Sequence, residues 1–481
     1  MGRDSIKILI KPFAMKFTKV LVSNRGEIAR RVIRTCKRLG LRTVAIHSEA
    51  DKESPHVTDA DEAVQVGPAP AKESYLNVAA VIDAIKKTGA DVVHPGYGFL
   101  SENSGFARAV ADAGVTFVGP PPNVLDAFGD KMKARHVALA AGTSPTPGTN
   151  EPIPIDTPEQ LAHARSEAER IGLPIVVKAV GGGGGIGMQI VKDFAQLDRA
   201  LKSCSDRGKA SFADARVYME RYASQPRHIE VQIFADTHGN FYALGERECS
   251  VQRRHQKIVE ETPSVASFFQ GEAGEKRRCD LWDAAIRVVK QAGYVGAGTC
   301  EFIANAEGEL FFLEVNARLQ VEHCVTEIVT GVDLVEQQIK VALGEHLGDD
   351  VLSPRRMGHS IEARVYAEDP AKKFAPQPGH IKTLRWPDAS PDLRIETGVE
   401  EGGDVTPYYD PMIAKVVAHA PTRAQAITRL DQALAATQLE LVGPQGNPAG
   451  TNLGFLRRIL TSDEFVGAAY DTSFAEAFAK R

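Results

Sequence analysis

The stretch Glu314-Val315-Asn316-Ala317-Arg318-Leu319-Gln320-Val321-Glu322-His323 decides how the rest of the chain is read. Taken as an extended strand, it sets Glu314, Asn316, Arg318, Gln320 and Glu322 on one face and Val315, Ala317, Leu319 and Val321 on the other, because strand side chains alternate. Upstream, Thr299–Ile303 and Leu310–Val315 flank Asn305-Ala306-Glu307-Gly308, a hairpin-turn composition. A turn centred between Glu307 and Gly308 sets Glu301 opposite Glu314. Opposed carboxylates about 5 Å apart at Cβ repel. A divalent cation between them, with Asn316 as a third oxygen donor, turns that repulsion into binding. A solvated strand face is the plainer reading, but Phe311-Phe312-Leu313 just before it has the character of buried core. The stretch reads as a metal site leading into an anion site.

The 481 residues are enough for about three domains of ~150 residues. Apolar residues at 43% and charged residues at 25% match an ordinary globular protein. A net charge of -5 with bases scattered among acids gives no footprint for nucleic acid or an acidic membrane surface. Cys36, Cys204, Cys249, Cys279, Cys300 and Cys324 show no C-x-x-C spacing, which argues against structural zinc and for free thiols in a reducing, cytoplasmic setting. No apolar run reaches the ~20 residues of a membrane helix. Residues 1–14 read as an N-terminal extension, with the domain starting at Met15.

In chain order, strands Lys19–Val22, Arg42–His47, Asp91–His94 and Thr116–Val118 alternate with helices opening at Asn24, Asn77 and Ser104, which predicts a parallel, doubly wound sheet over about 15–125. The first turn lacks G-x-G-x-x-G, so dinucleotide binding is not supported. The segment His94-Pro-Gly-Tyr-Gly-Phe-Leu-Ser-Glu-Asn103 follows a strand carboxyl end, where such sheets place ligands. A helix Met132–Ala141, a Pro/Thr-rich linker Thr143–Pro158, a helix Glu159–Ile171 and a strand Leu173–Lys178 come next. Five consecutive glycines, 181–185, then lie between Lys178 and the strand Gln189–Val191. They do not end in the Gly-Lys-Ser/Thr of a Walker loop, and read instead as a mobile hairpin whose N–H groups wrap an anion. Val217–Tyr222 and His228–Phe234 are strands, the latter with His228, Glu230 and Gln232 on one face. The charge-dense Gly245–Pro263 reads as a loop that can supply cations to phosphate. From about 350, strands Ile361–Tyr366, His380–Arg385 and Leu393–Glu396 and helices Arg423–Thr437 and Asn452–Leu460 predict an α+β unit.

Together these motifs resemble biotin carboxylase, a member of the ATP-grasp ligases, over Val20 to about Leu460. The resemblance is carried by Ser23-Asn-Arg-Gly-Glu-Ile-Ala29, His94–Asn103, the glycine run, Gln252-Arg-Arg-His-Gln-Lys257, Glu314–His323 and Tyr408-Tyr-Asp-Pro411. It implies a combined α/β and α+β chain with the ATP-grasp fold: an N-terminal domain at 15–130, an ATP-grasp domain at 131–345 with a lid at about 146–222, a C-terminal domain at 350–465, and a tail at 466–481. It implies phosphorylation of bicarbonate by ATP with Mg2+ or Mn2+, then carboxylation of biotin on a carrier protein. By the same resemblance, Lys131 and Lys178 hold ATP phosphates under Gly184 and Gly185. Glu220 and the bend Arg221–Ala223 meet adenine, while His228, Gln252 and His255 meet ribose and phosphate. Glu301, Glu314 and Asn316 ligate the metal. Lys257, Arg318, Gln320 and Val321 bind bicarbonate, Glu322 is the base, and Arg394 stabilises the biotin enolate.

The chain departs from the family pattern at Ile186 and Gln189, where basic residues are usual, and at Cys324, where proline is usual. Gly443–Gly450 resembles a small insertion. The lid thus loses two positive charges, and its closure on ATP is expected to be weaker. No Ala/Val-Met-Lys-Met carrier motif occurs, so a biotin carboxyl carrier protein and carboxyltransferase subunits are expected as separate partners. A homodimer is also expected. The context expected first is an acetyl-CoA or other acyl-CoA carboxylase, next a pyruvate or 2-oxoacid carboxylase. Another ATP-grasp ligase, or a nucleotide-binding regulator without turnover, are the rival readings.

Overall fold

The computed structural model describes residues 17–180, 187–212, 214–352 and 354–481. Five parallel strands lie in the spatial order Glu62–Gly67, Arg42–Ser48, Lys19–Val22, Val92–His94, Thr116–Phe117. Val20, Leu21, Val22, Val92 and Val93 are fully buried, as a sheet covered on both faces requires. The doubly wound arrangement matches the sequence reading. The strand Glu62–Gly67 and the helix Pro122–Phe128 lie outside it; the former is a half-exposed edge strand with a weak apolar signal. Strand order reverses between Lys19–Val22 and Val92–His94, so the loops after Val22 and His94 meet in one crevice. There Asn24 Nδ2 donates to the carbonyls of Pro95 (2.7 Å) and Tyr97 (2.8 Å). Gly96 has φ +62°, and a Cβ on it would meet Asn24 Nδ2 at 2.9 Å, so both conformation and space require glycine.

The site is organised by an eight-stranded sheet in the order Leu310–Asn316, Gly296–Ala304, Arg227–Ala235, Phe241–Arg253, Gln256–Thr262, His359–Tyr366, Met412–Ala420, Leu393–Thr397, every neighbouring pair antiparallel. The last three strands come from the α+β region, so that region extends the same sheet. The loop read over Gly245–Pro263 is corrected: it is two long strands joined at Arg254-His255, both with positive φ (48° and 62°), as a two-residue hairpin turn demands. Its charges face buried partners. Arg247, Glu248, Glu260 and Glu261 are all at most 1% exposed, so charge density did not signal solvent.

Glu301 does pair with Glu314, but by another route than the one read from sequence. Ala304 pairs with Leu310, which centres the turn on Glu307, and a bulge between Glu301 and Phe302 restores the register. The ten-residue strand is also corrected. It ends at Asn316; residues 317–322 are irregular, and a helix His323–Thr330 follows. The Ala317 N–H leaves the ladder to donate to Glu102 Oε1 (2.9 Å).

A three-stranded antiparallel sheet has Ile175–Ala179 between Met188–Val191 and Val217–Arg221. The helices Pro158–Ile171 and Leu197–Phe212 accompany it, the second absent from the sequence reading. The Thr143–Pro158 segment is not a free linker, since it bridges Pro145 to Phe312, Gly148 to Glu220 and Ile153 to Val217. Gly184, Gly185 and Ile186, like residues 1–14, lie outside the described residues. Among the described residues no helix is long and apolar enough to cross a membrane.

Candidate active site

Strand register alone builds the first part of the site. Glu314 pairs with Glu301, Glu301 with Glu230, and Glu230 with Arg247, so three carboxylates and a guanidinium form one row across four strands. Neighbours in such a row stand about 5 Å apart, and like charges there repel. Each acid therefore needs a cation. Arg247, fully buried, meets Glu230 Oε1 at 2.5 Å and also donates to Gln232 Oε1 (2.7 Å), Thr326 Oγ1 (2.9 Å) and Thr299 Oγ1 (3.1 Å). His228 Nε2 lies 3.0 Å from Glu301 Oε2, and its Nδ1 lies 2.8 Å from the Gln252 amide. Burial opposes charging of His228, but Glu301 more than offsets it and the pKa is raised.

Lys257 closes the cluster. Its Nζ donates to Glu230 Oε2 (2.5 Å), Glu301 Oε1 (2.9 Å) and Glu322 Oε1 (2.6 Å). Burial disfavours ionisation of Glu322, yet Lys257, Arg364 and Arg247 together hold its carboxyl well below the usual range. Glu322 is thus an ionised, buried carboxylate, the state a proton acceptor needs. Glu301 is held low in the same way by Lys257 and His228 against its burial.

Glu314 differs. Burial and the adjacent Glu301 charge raise its pKa, with Lys131 opposing. Two opposed carboxylates with an unrelieved repulsion, and Asn316 beside them donating to Glu301 Oε1 (2.9 Å), form a hard-oxygen set that fits Mg2+ or Mn2+. Lys131, Lys178, Glu220 and Glu314 line one small cleft with Arg135 and Tyr218. Asp130 caps the helix Lys131–Ala140 through the N–H groups of Met132 and Lys133, which fixes Lys131 at its mouth. Lys178 touches Glu220 across the Ile175–Ala179 and Val217–Arg221 pair.

Arg318 is held as a fork. Nε donates to Glu102 Oε2 (2.9 Å), Nη2 to Asn316 Oδ1 (3.0 Å) and Nη1 to Gln320 Oε1 (3.0 Å). Gln320 Nε2 donates in turn to Glu301 Oε1 (3.2 Å). Val321 is fixed through its carbonyl by Lys415 Nζ (2.8 Å), a fully buried ammonium that also pairs with Glu27 Oε1 (3.1 Å). Arg318, Val321 and Arg364 line a cleft of about 480 Å3 together with Asn24, Tyr97 and Tyr409.

Arg394, to which the resemblance gives the biotin enolate, does not line this cleft. It is locked against Glu327 Oε2 (2.7 Å) and Glu396 Oε1 (2.5 Å), in a network with Arg31 and Arg34. The guanidinium beside the base is Arg364, 3.0 Å from Glu322 Oε2. Its signal was present in the sequence: Ser360, Glu362, Arg364 and Tyr366 alternate with Ile361, Ala363 and Val365. Arg247 and Lys415 are further site residues that the sequence reading left without a role, while Glu102 belongs to the His94–Asn103 segment read as a ligand loop. Of the remaining expectations, His255 stands exposed at its hairpin tip, the Arg221 guanidinium turns to the Ile171 carbonyl (2.8 Å), and Ala223 lies in the bend after Val217–Arg221.

Comparison with known proteins converges on the same set of elements. Residues 16–125 match the biotin carboxylase N-terminal domain family, 130–350 the ATP-binding domain of carbamoyl-phosphate synthase L chain, and 362–477 the biotin carboxylase C-terminal domain family. The chain is 44% identical over 458 residues to the biotin carboxylase of Halalkalibacterium halodurans, covering 95% of this chain and 97% of that one. It is 46% identical over 465 residues to the mitochondrial methylcrotonoyl-CoA carboxylase subunit alpha of Dictyostelium discoideum, spanning 97% of this chain but only 63% of that longer relative. The biotin carboxylase domain dimer of Hydrogenobacter thermophilus 2-oxoglutarate carboxylase, solved with MgADP, ADP and bicarbonate, superposes with a TM-score of 0.86 at 39% identity, covering 96% of this chain and 97% of that one. With these matches spread over all three regions and the motif residues gathered around one sheet, the chain belongs to the biotin carboxylase family.

Proposed function

We propose that the protein carboxylates biotin borne on a carrier protein, using ATP, Mg2+ or Mn2+ and bicarbonate, as the first half-reaction of an acyl-CoA carboxylase. The observation that carries this reading is the order of groups along one sheet: a Lys131/Lys178/Glu314 cleft, then the Glu301–Lys257–Glu322 cluster, then Arg318 and Arg364 on the wall of a cleft large enough for a small bicyclic ring.

In this reading Lys131 and Lys178 neutralise the triphosphate, and Glu301, Glu314 and Asn316 would hold the metal, which when bound screens phosphate charge. Phosphoryl transfer depends mainly on such positioning and charge neutralisation. Arg318 offers bicarbonate a planar fork, kept in place by Glu102 and Gln320. Glu322, already ionised, takes the bicarbonate proton. Arg364 stabilises negative charge on the ureido oxygen as the biotin nitrogen is deprotonated, the role the sequence reading gave to Arg394. A homodimer, a carrier protein and carboxyltransferase subunits are its proposed partners, and acetyl-CoA is the proposed final acceptor. Likeness to the 2-oxoglutarate carboxylase domain makes a 2-oxoacid the second reading.

The test is ADP release by the purified protein with MgATP. Release that requires both bicarbonate and biotin is expected. Release driven by some other carboxylic acid contradicts the reading. Supplying a biotinylated carrier and carboxyltransferase with acetyl-CoA, propionyl-CoA, methylcrotonoyl-CoA, pyruvate or 2-oxoglutarate then ranks the acceptors.

A further inference from the structure

Behind Arg364 the sheet buries two carboxyls that the chemistry above does not use. Glu260 and Glu362 are directly paired between Gln256–Thr262 and His359–Tyr366, and neither has exposed surface. Two buried carboxylates opposed at about 5 Å, with only one guanidinium between them that a third acid also shares, do not both ionise.

The groups facing them come from each packed element; on Phe241–Arg253 the neighbour of Glu260 is the Cys249 thiol, pushed well up by burial and therefore neutral. On Glu362's own strand, Arg364 touches Glu260 and also meets Glu322 Oε2 at 3.0 Å. On Met412–Ala420, Lys415 faces Arg364 in register, but its Nζ is engaged by the Val321 carbonyl and Glu27. On Gln256–Thr262, Lys257 is engaged by Glu230, Glu301 and Glu322. From the helix His323–Thr330 the neighbour is the Cys324 thiol, pushed up by burial and therefore neutral. Arg364 is thus shared by Glu322 and Glu260; among the described residues none of the four Glu260 and Glu362 oxygens has a well-directed hydrogen-bond partner, and the guanidinium forms its ion pair with Glu260 rather than Glu362. Burial raises Glu362 well above the usual carboxylate range; it also raises Glu260, to about 7, with Arg364 opposing.

We propose that Glu260 and Glu362 form a one-proton carboxyl pair that positions Arg364, with Glu362 holding the proton and Glu260 holding the guanidinium. The proton count matters because Arg364 is shared. With both acids ionised, the guanidinium is drawn off Glu322 into the sheet. With both neutral, it pairs with Glu322 alone and loads the base. One proton leaves Arg364 between the two carboxylates, at the wall of the large cleft. The service to biotin rests on the function proposed above; the location of the proton does not.

Infrared spectra of the whole protein at neutral pH test the proton directly. A carboxylic-acid C=O band is expected in wild type and in Glu260→Gln, and its loss is expected in Glu362→Gln. A wild-type spectrum without the band overturns the proposal whether or not either variant folds, as does a band lost only in Glu260→Gln. The positioning role is read in kcat/KM for biotin. Glu260→Gln, which removes the anion, is expected to lose at least about 10-fold more than Glu362→Gln, which mimics a neutral carboxyl, with KM for ATP unchanged in both. Partial recovery in Glu260→Asp is expected. Equal losses, or the larger loss in Glu362→Gln, refute the assignment. If biotin is not the substrate, wild type itself shows no biotin turnover while the infrared band is still present, so the two failures are distinguishable.

Discussion

Replacing Lys257 by methionine removes one ammonium from three carboxylates at 2.5, 2.9 and 2.6 Å. Each acid keeps a basic partner: Arg247 on Glu230, His228 on Glu301 and Arg364 on Glu322, and Glu301 also keeps the Asn316 and Gln320 amides. Breaking a buried charged group's pairing costs about 3–5 kcal/mol, and the surviving partners place this variant at the lower end, about 3 kcal/mol. The pH dependence distinguishes electrostatics from lost packing. In wild type Glu301 and Glu322 titrate below their unfolded values, so their stabilisation is present above the ordinary carboxylate pKa and is lost as pH falls through the depressed folded values. Lys257 is the largest charge holding both acids down against their burial, so its removal is predicted to raise the folded carboxylates above their unfolded values. Their contribution is then fully present only at low pH and is lost as pH rises through the raised values. The stability gap between wild type and Lys257→Met should therefore narrow as pH falls from about 8 to about 5, by about 1.4 kcal/mol per unit for each proton retained by the folded variant. Melting temperatures of both proteins across that range measure the gap. A gap constant with pH would refute the charge account and leave only the loss of the side chain's volume.

Glu102→Gln removes the anion from the Arg318 Nε and Ala317 N–H contacts. Hydrogen bonds to charged groups are worth about 1.5–3 kcal/mol, so KM for bicarbonate should rise about 10- to 100-fold with KM for ATP little changed, in initial-rate assays. Glu314→Gln relieves the repulsion with Glu301 and removes one hard oxygen anion, so the Mg2+ concentration for half-maximal ATP cleavage should rise about 10-fold or more, while melting temperature holds or increases.

The opening stretch shows what sequence could and could not convey. The Glu301–Glu314 pairing was legible because a turn composition and strict alternation both point to it, although a bulge rather than the turn centre sets the register. The end of that strand was not legible. Alternation continues past Asn316, and what stops the ladder is Glu102, 215 residues earlier in the chain, which takes the Ala317 N–H. Arg364 was legible as a member of a polar strand stripe, but the Leu393–Thr397 strand also offers an arginine, and only the sheet order places one beside Glu322 and the other against Glu327. Gly245–Pro263 was misread for a related reason: charges that meet partners on adjacent strands are dense in sequence and buried in space.

The account turns on which guanidinium serves the reacting ring. Formation of carboxybiotin from labelled bicarbonate, free biotin and MgATP measures this in wild type, Arg364→Lys and Arg394→Lys. Lysine cannot reproduce the planar fork. A loss of about 100-fold or more in Arg364→Lys, with Arg394→Lys within about 3-fold of wild type, is predicted. The reverse order, or no labelled carboxybiotin from wild type, would contradict it.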